Sequence, residues 1–378
     1  MTSPHRSVLI IQEHLPHYRV PFFEQLHKDL SAHGVSLQLI FSPKTRESLL
    51  PGYLPWAHPV PIHWLGPLGW QNVFPHLKGV SLVIAPQETK YAVLPLLMIL
   101  RKWGGWKFAF WGHGKNFQSI HPNSFSERWK RLLSRRADWW FAYNNLSARI
   151  VRDLGFPADK TTVVMNSIDT SALIQARAAV NPSQQSALRK DLGLFSKNVG
   201  IYTGGLYSQK RISFLLQACR VVRKKIPDFE MIVIGRGPDE ALVVETAKRE
   251  PWLRYLGTKG DTEKAPYWSL ANVCLMPGLV GLAVLDSFAF GVPMVTTAYP
   301  YHSPEIDYLT HGKTGWICDS WQDPIQYADA IVDLLGDSNR LALMKSACRT
   351  EASHYSVKKM SDLFCKGIMD SMETSRYK

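Results

Sequence analysis

Four short stretches of the chain combine backbone freedom with a charge in a way that suits a phosphorylated ligand. In TGGLYSQKR (203–211), Gly204 and Gly205 offer uncovered amides just ahead of two cations, Lys210 and Arg211. In PGLVGLAVLDSFAFGVPMVTT (277–297), Gly278 and Gly281 lead into an apolar run that holds one carboxylate, Asp286. Glycine lets main chain approach a ligand closely, and the first amides of a helix have no intrahelical partner, so such a turn favours a diphosphate. Asp286 borders the stripe of Leu282, Leu285 and Ala289, where a carboxylate needs a specific partner; a ribose hydroxyl would serve. IGRGPDE (234–240) adds a G-x-G turn with the cation Arg236, and FWGHG (110–114) sets His113 after an apolar run, where imidazole can donate a hydrogen bond or move a proton near neutral pH. On spacing alone each stretch equally fits an ordinary strand-to-helix turn with solvated charges.

These residues need rigid elements behind them. In the first half, short β-rich runs (SVLIIQ, VSLQLIFS, SLVIAP, KFAFWG, WWFAYN, TTVVMN) alternate with amphipathic stretches, among them PFFEQLHKDLSAHG and helical runs from about Thr89 and from Ser124. Residues 43–80, rich in Pro, Gly and Trp, read as a long structured connection. After NSID (166–169) and a polar, alanine-rich segment the alternation restarts with VGIYTGG, FEMIVIG, WLRYLG and NVCLM. Two successive βαβ series predict an α/β chain of two Rossmann-like domains. The expected bounds are residues 1–170 and 171–355, with 356–378 (SVKKMSDLFCKGIMDSM at its core) as a C-terminal helix that packs back on the first domain. In the opening motif, NVCLM is the expected strand, LAVLDSFAF the helix and Gly291 its C-terminal stop.

Composition narrows the partners. With 378 residues, 46% hydrophobic and 20% charged, the chain exceeds one core and should fold almost throughout. Its five cysteines are odd in number and widely spaced, which fits a reducing cytoplasm, and no His, Cys or Asp spacing suggests a metal. The N-terminal residues lack the apolar core of a signal peptide, and the run from Tyr91 to Leu100 is too short to cross a bilayer. A net charge of +13 predicts an anionic partner. Residues 91–140 interleave nine Lys or Arg with Trp103, Trp106, Trp111, Trp129, Trp139 and Trp140, a pattern expected either of a protein lying on an anionic membrane or of a solvated face beside buried aromatics. No nucleic-acid module is present.

The order of pieces in the second half resembles the nucleotide-sugar-binding domain of the family 4 retaining glycosyltransferases with the GT-B fold. NSID resembles that family's Asn-Gly-Val-Asp linker, TGGLYSQKR its Gly-Arg-Leu…Lys loop, IGRGP its Gly-x-Gly-Pro turn, and 277–297 its Glu-x7-Glu region, followed by SPEIDYLTHGKTGWIC. The resemblance implies two Rossmann-like domains facing across a cleft and sugar transfer without a metal or other cofactor. It makes Lys210 the phosphate-contacting lysine and Asp286 the ribose-binding acid, with amides of Gly281 and Leu282 on the diphosphate. Gly204, Gly205, Arg211 and Arg236 complete the donor side, and His113 approaches the sugar as a second catalytic residue.

Three positions depart from the pattern: Gly205 stands for the usual Arg, Gly278 for the first Glu, and Arg236 for a common acid. Loops after the first domain's strands nominate His14, Arg19, Glu88 and the neighbouring Gln87 for the acceptor, and Glu305 for loop support. The expected substrates are a nucleotide sugar, UDP-linked in first place, and a saccharide or lipid-linked saccharide. The expected location is cytoplasmic, peripheral at the inner membrane face. A nucleotide-sugar binder that has lost catalysis and an epimerase are the rival readings.

Overall fold

The computed structural model describes residues 6–43, 54–88, 90–115 and 133–374, and the chain divides into two compact units. Unit 1 is Met1–Ile168 with Val357–Lys378, and unit 2 is Asp169–Ser356. The division falls inside NSID, where the Asp169 carboxylate caps the helix Thr170–Ala179 through the Ala172 amide at 3.0 Å.

Unit 1 is built on a parallel sheet of β1 (Arg6–Ile11), β2 (Val35–Phe41), β3 (His58–Pro59), β6 (Leu82–Pro86), β7 (Lys107–Gly112), β8 (Trp139–Ala142) and β9 (Thr161–Val163), in the order β3-β2-β1-β6-β7-β8-β9. Its central strands are continuous apolar runs because helices cover both faces. On one face Phe22, Phe23, Leu26 and Leu30 of the helix Val20–Ala32 meet Met360, Phe364 and Ile368 of the helix Val357–Glu373. Phe364 stacks on Phe141 of β8 at 4.4 Å. Gly367 permits this approach, since a Cβ there would lie 2.4 Å from Thr162 Oγ1. The buried Lys107 ammonium donates to the Ser371 carbonyl at 2.6 Å, which satisfies a helix C-terminus with a cation. On the other face lies the helix Val93–Gly104, with Leu94 and Leu97 against Phe108, Phe110 and Trp140.

Of the two patterns expected for residues 91–140, the described tryptophans largely take the buried one: Trp106, Trp111, Trp139 and Trp140 are core residues, because both faces of β7 and β8 are covered, and only Trp103 of the described basic-stretch tryptophans is exposed. One expectation is corrected in unit 1. Residues 43–80 are more regular than a connection: they hold β3, the hairpin β4 (Ile62–Leu65) and β5 (Leu68–Gln71), and the 3-10 turn Phe74–His76. The helical run from Ser124, with Trp129, lies outside the described residues up to 132.

Unit 2 carries the parallel sheet β12-β11-β10-β13-β14-β15, of β10 (Val199–Thr203), β11 (Glu230–Ile234), β12 (Leu253–Tyr255), β13 (Val273–Leu275), β14 (Met294–Thr297) and β15 (Gly315–Cys318). The two expected Rossmann-like domains are thus present. The alanine-rich segment forms two helices, Thr170–Ala179 and Pro182–Leu192, the second opened by a capping box of Asn181 and Gln184. The helix Ala283–Phe290 packs on Thr170–Ala179 and Ser338–Ala352, and it ends at Gly291 in the left-handed conformation, φ +69°. Among the described residues no helix is long and apolar enough to cross a membrane.

Candidate functional site

The strand order of unit 2 reverses between β10 and β13, and in an open parallel sheet that reversal leaves a crevice beyond the carboxyl ends of the strands where ligands bind. The loops beside it are 203–211 after β10 and 276–283 after β13. Both are shaped by backbone meeting backbone. A Cβ on Gly235 would lie 1.8 Å from the Gly204 carbonyl oxygen, and one on Gly237 would lie 2.2 Å from that of Leu206. The Leu206 amide donates to the Arg236 carbonyl at 2.8 Å and the Asp239 amide to the Leu206 carbonyl at 2.9 Å, so the turns after β10 and β11 are zipped together. Gly204, at φ +149°, donates its amide to the Ile234 carbonyl at 3.0 Å. At Gly205, where the resemblance would have Arg, the Tyr207 ring takes the side-chain space, 2.6 Å from where a Cβ would be.

The position of the missing first acid is filled in a similar way. A Cβ on Gly278 would sit 2.3 Å from the Gln209 carbonyl oxygen and 2.6 Å from the Lys210 carbonyl carbon, and the Leu279 amide donates to Gln209 at 2.9 Å. The 3-10 turn Ser208–Lys210 fills the place where a glutamate would stand. Lys210 is buried beneath this contact, with Nζ donating to the Leu279 carbonyl at 2.5 Å. Burial lowers its ammonium to about 8, with Cys274 and the buried Glu305 acting the other way.

Asp286 is buried on the helix Ala283–Phe290. Its partner in the chain is the Lys264 ammonium, 3.3 Å from Oδ1, rather than a group left open to a ligand alone. Burial pushes the carboxyl up while Lys264 holds it down, and Lys264 stays cationic between Asp286 and Asp261, the latter at 3.4 Å. Lys264 lies 22 positions before Asp286 on a 3-10 turn, Thr262–Lys264, where no periodicity marks it.

Ahead of that helix, Val284 and Leu285 donate to Gly281 and Leu282. Among the described residues nothing accepts from the amides of Gly281, Leu282 and Ala283. The preceding amide is different: Val280 donates to His302 Nδ1 at 2.9 Å, and His302 Nε2 meets the Thr297 carbonyl at 2.8 Å. Those two contacts require the Nε2–H tautomer, and burial lowers this imidazole to about 4. Sequence reasoning missed His302, whose only signal was a histidine shortly after an apolar strand. Thr203 Oγ1, at the end of β10, is buried without a partner among the described residues.

The two other nominated cations of unit 2 have these surroundings. The Arg211 guanidinium donates to the Trp321 carbonyl and lies 4.1 Å from the Phe214 ring centroid. Arg236 is exposed, 3.8 Å from Glu240.

In unit 1 the order reverses between β1 and β6, and His14, Gln87, Glu88 and His113 all follow carboxyl ends of strands near that point. His113 meets the Tyr143 ring edge-on at 4.3 Å. Glu88 pairs with Lys90 at 3.1 Å, and Lys90 bonds Glu13 at 2.8 Å, a carboxylate that the motif reading passed over. Burial favours the neutral Glu13, but bonds from Lys90 and Tyr91 outweigh it and hold the carboxyl below its usual range. Arg19 is corrected: it is buried, 5.1 Å from the Trp111 ring centroid and bonded to Met360 Sδ, where it anchors the C-terminal helix. Among the described residues no cluster of three or more His, Cys, Asp or Glu could hold a metal ion.

Residues 197–337 match the family described as glycosyl transferases group 1. An uncharacterized glycosyltransferase of Haemophilus influenzae is 26% identical over 247 residues, 61% of this chain and 67% of that protein. The amylovoran biosynthesis glycosyltransferase AmsK of Erwinia amylovora is 24% identical over 54% of this chain, which spans 51% of that relative's length. Among solved structures, HepE of Anabaena in complex with UDP superposes with a TM-score of 0.75 at 17% identity, covering 96% of this chain and 99% of that one, and its complex with UDP-glucose does so at 0.73. The crevice of unit 2 therefore lies within the residues that match the glycosyl transferases group 1 family, and the chain has the two-domain GT-B fold of those solved structures.

Proposed function

We propose that the chain moves a sugar, with retained anomeric configuration, from a nucleotide-diphosphate donor to a hydroxyl of a saccharide or lipid-linked saccharide during assembly of a surface polysaccharide. The observation that carries this reading is the row of uncommitted amides at Gly281, Leu282 and Ala283, at the head of a helix in the switch-point crevice and one turn of chain from the cation of Lys210. HepE, one of the structures of like fold, was solved in complex with UDP and with UDP-glucose, which supports a UDP-sugar as donor; AmsK, named for amylovoran biosynthesis, supports the polysaccharide role.

As the anomeric bond breaks, negative charge grows on the leaving diphosphate. Amides and the Lys210 ammonium, already held in place, lower that charge's energy without reorganising. Asp286, with its counter-charge in Lys264, offers carboxylate oxygens to the ribose. The leaving diphosphate takes the acceptor proton, and no protein nucleophile is needed. His113, Glu88 and His14 serve the sugar and acceptor from unit 1, at the inner face of the membrane. The reaction uses no metal.

A thermal-shift screen of UDP, GDP, dTDP and their sugars tests the donor, since a ligand bound only by the folded state raises its midpoint. A rise with UDP and UDP-sugars, followed by an acceptor product of unchanged anomeric configuration, is the expected result, and excess chelator leaves the rate unchanged. No shift with any nucleotide would remove the site. Gly278, whose side-chain space belongs to the Gln209 carbonyl, favours a second reading in which nucleotide binds without transfer; a UDP shift with no product from any donor would select it.

A further inference from the structure

We propose that the β4–β5 hairpin of unit 1, with the adjoining helix Val93–Gly104, is a docking wedge for a bilayer containing anionic lipid. In the hairpin Leu65 pairs with Leu68 and His63 with Trp70, so these four side chains share one face. That face is uncovered: Leu65 is 86% exposed, and Leu68 and Trp70 are exposed beside it. The other face is the anchored one. There Trp64 lies across Gly69, whose amide donates to the Lys90 carbonyl at 2.8 Å and whose carbonyl accepts from the Ala92 amide at 3.0 Å.

Ala92 leads directly into the helix Val93–Gly104. Leu94, Leu97 and Met98 of this helix face the core, whereas Leu96, Ile99 and Trp103, spaced three and four apart, point the other way. Ile99 is 59% and Trp103 77% exposed. An apolar tip of Leu65-Gly66-Pro67-Leu68 with tryptophans set behind it has the layering of an interfacial anchor, aliphatic groups deeper and indoles at headgroup level.

Charge decides between a bilayer and another apolar surface. Between Glu47 and Glu127 the sole carboxylate is Glu88, and it is paired with Lys90. The same span carries Lys78, Arg101, Lys102, Lys107 and Lys115, of which Lys78 and Lys102 are exposed next to the wedge elements. A stretch of chain with more cations than carboxylates, its one acid paired with a lysine, beside exposed Leu and Trp complements anionic headgroups. The surface deepens the lipid-linked acceptor reading and rests on it for its biological purpose, but vesicle binding requires neither donor nor turnover.

The test is co-sedimentation of the full chain with phosphatidylcholine vesicles that contain or lack phosphatidylglycerol. Wild type should pellet with the anionic vesicles and release in high salt. Leu65→Glu/Leu68→Glu should weaken binding at least ~10-fold, from lost burial of two aliphatic side chains. Trp103→Ser should weaken it less, and Leu343→Glu, exposed on unit 2, should leave it unchanged. Unaltered melting and UDP affinity in the hairpin variant would show that the fold and the donor site are intact, so failure of the wedge is distinct from failure of the transferase reading. Wild type remaining in the supernatant, hairpin and Trp103 variants that pellet like wild type, or a wild-type dimer that the hairpin variant dissociates without any vesicle binding would each overturn the proposal.

Discussion

The carboxyl ends of the two parallel sheets are built from different materials. Beyond β10 and β13 the chain shapes its crevice with main chain: Gly235, Gly237 and Gly278 each lie where another stretch of backbone passes closer than van der Waals contact to a would-be Cβ. Beyond β1, β6 and β7 the corresponding ends are filled by side chains, with His113 against Tyr143, Glu13 and Glu88 on Lys90, and Arg19 among aromatic rings. Main-chain geometry is common to all residues and tolerates few substitutions; side-chain packing can be exchanged piece by piece. The family match covers residues 197–337, inside unit 2.

The contrast can be broken most forcefully at the buried pair of Lys264 and Asp286 in unit 2. Lys264→Met leaves the buried Asp286 carboxylate without its counter-charge and should cost about 3–5 kcal/mol in denaturant unfolding, while Lys264→Met with Asp286→Leu should recover most of that loss and still fail to bind UDP. Full stability in the single variant would mean that the pair is not buried in solution.

Gly278→Ala comes next. One methyl group must displace the Gln209–Lys210 backbone, so a loss of about 1–3 kcal/mol and weaker UDP binding are expected, whereas Gly281→Ala, whose Cβ would meet only Ser303 at 3.7 Å, should be stable. Equal melting of the two alanine variants would refute the backbone account of the missing acid.

The smallest effect is a titration. Because burial lowers Lys210 to about 8, its ammonium is present below that pH and lost above it, so UDP affinity should fall as pH rises through about 8. Stability has the opposite sign: above pH 8 the unfolded chain keeps a proton that the folded chain has released, so Lys210 favours folding increasingly toward its ordinary value. Lys210→Met should abolish both slopes. Calorimetric UDP titrations and urea unfolding across this range check the signs.

What the sequence made legible follows the same divide. The strand runs of both sheets, the Gly291 helix stop and the glycine turns were readable because they depend on local periodicity and backbone freedom. The Lys264 partner of Asp286 was not, since it comes from a turn with no pattern of its own, nor was His302, held by one amide and one carbonyl. The tryptophans stayed ambiguous because indoles beside lysines fit an interface and a core equally well in one dimension, and only the sheet shows that Trp140 lies in a strand covered on both faces. The hairpin escaped notice because Pro61, Gly66 and Pro67 broke the alternation of Ile62–Leu65 and Leu68–Gln71 into what read as loop.

The central claim, that main-chain amides at the head of the helix Ala283–Phe290 grip the donor diphosphate, is tested most directly by Leu282→Pro. Leu282 has φ −59°, which proline adopts without strain, so the substitution deletes one N–H donor and little else of the backbone. Calorimetry should show UDP affinity at least ~10-fold weaker, as for one lost charge-assisted bond, with near wild-type melting. Undiminished UDP affinity in a folded Leu282→Pro chain would contradict the account.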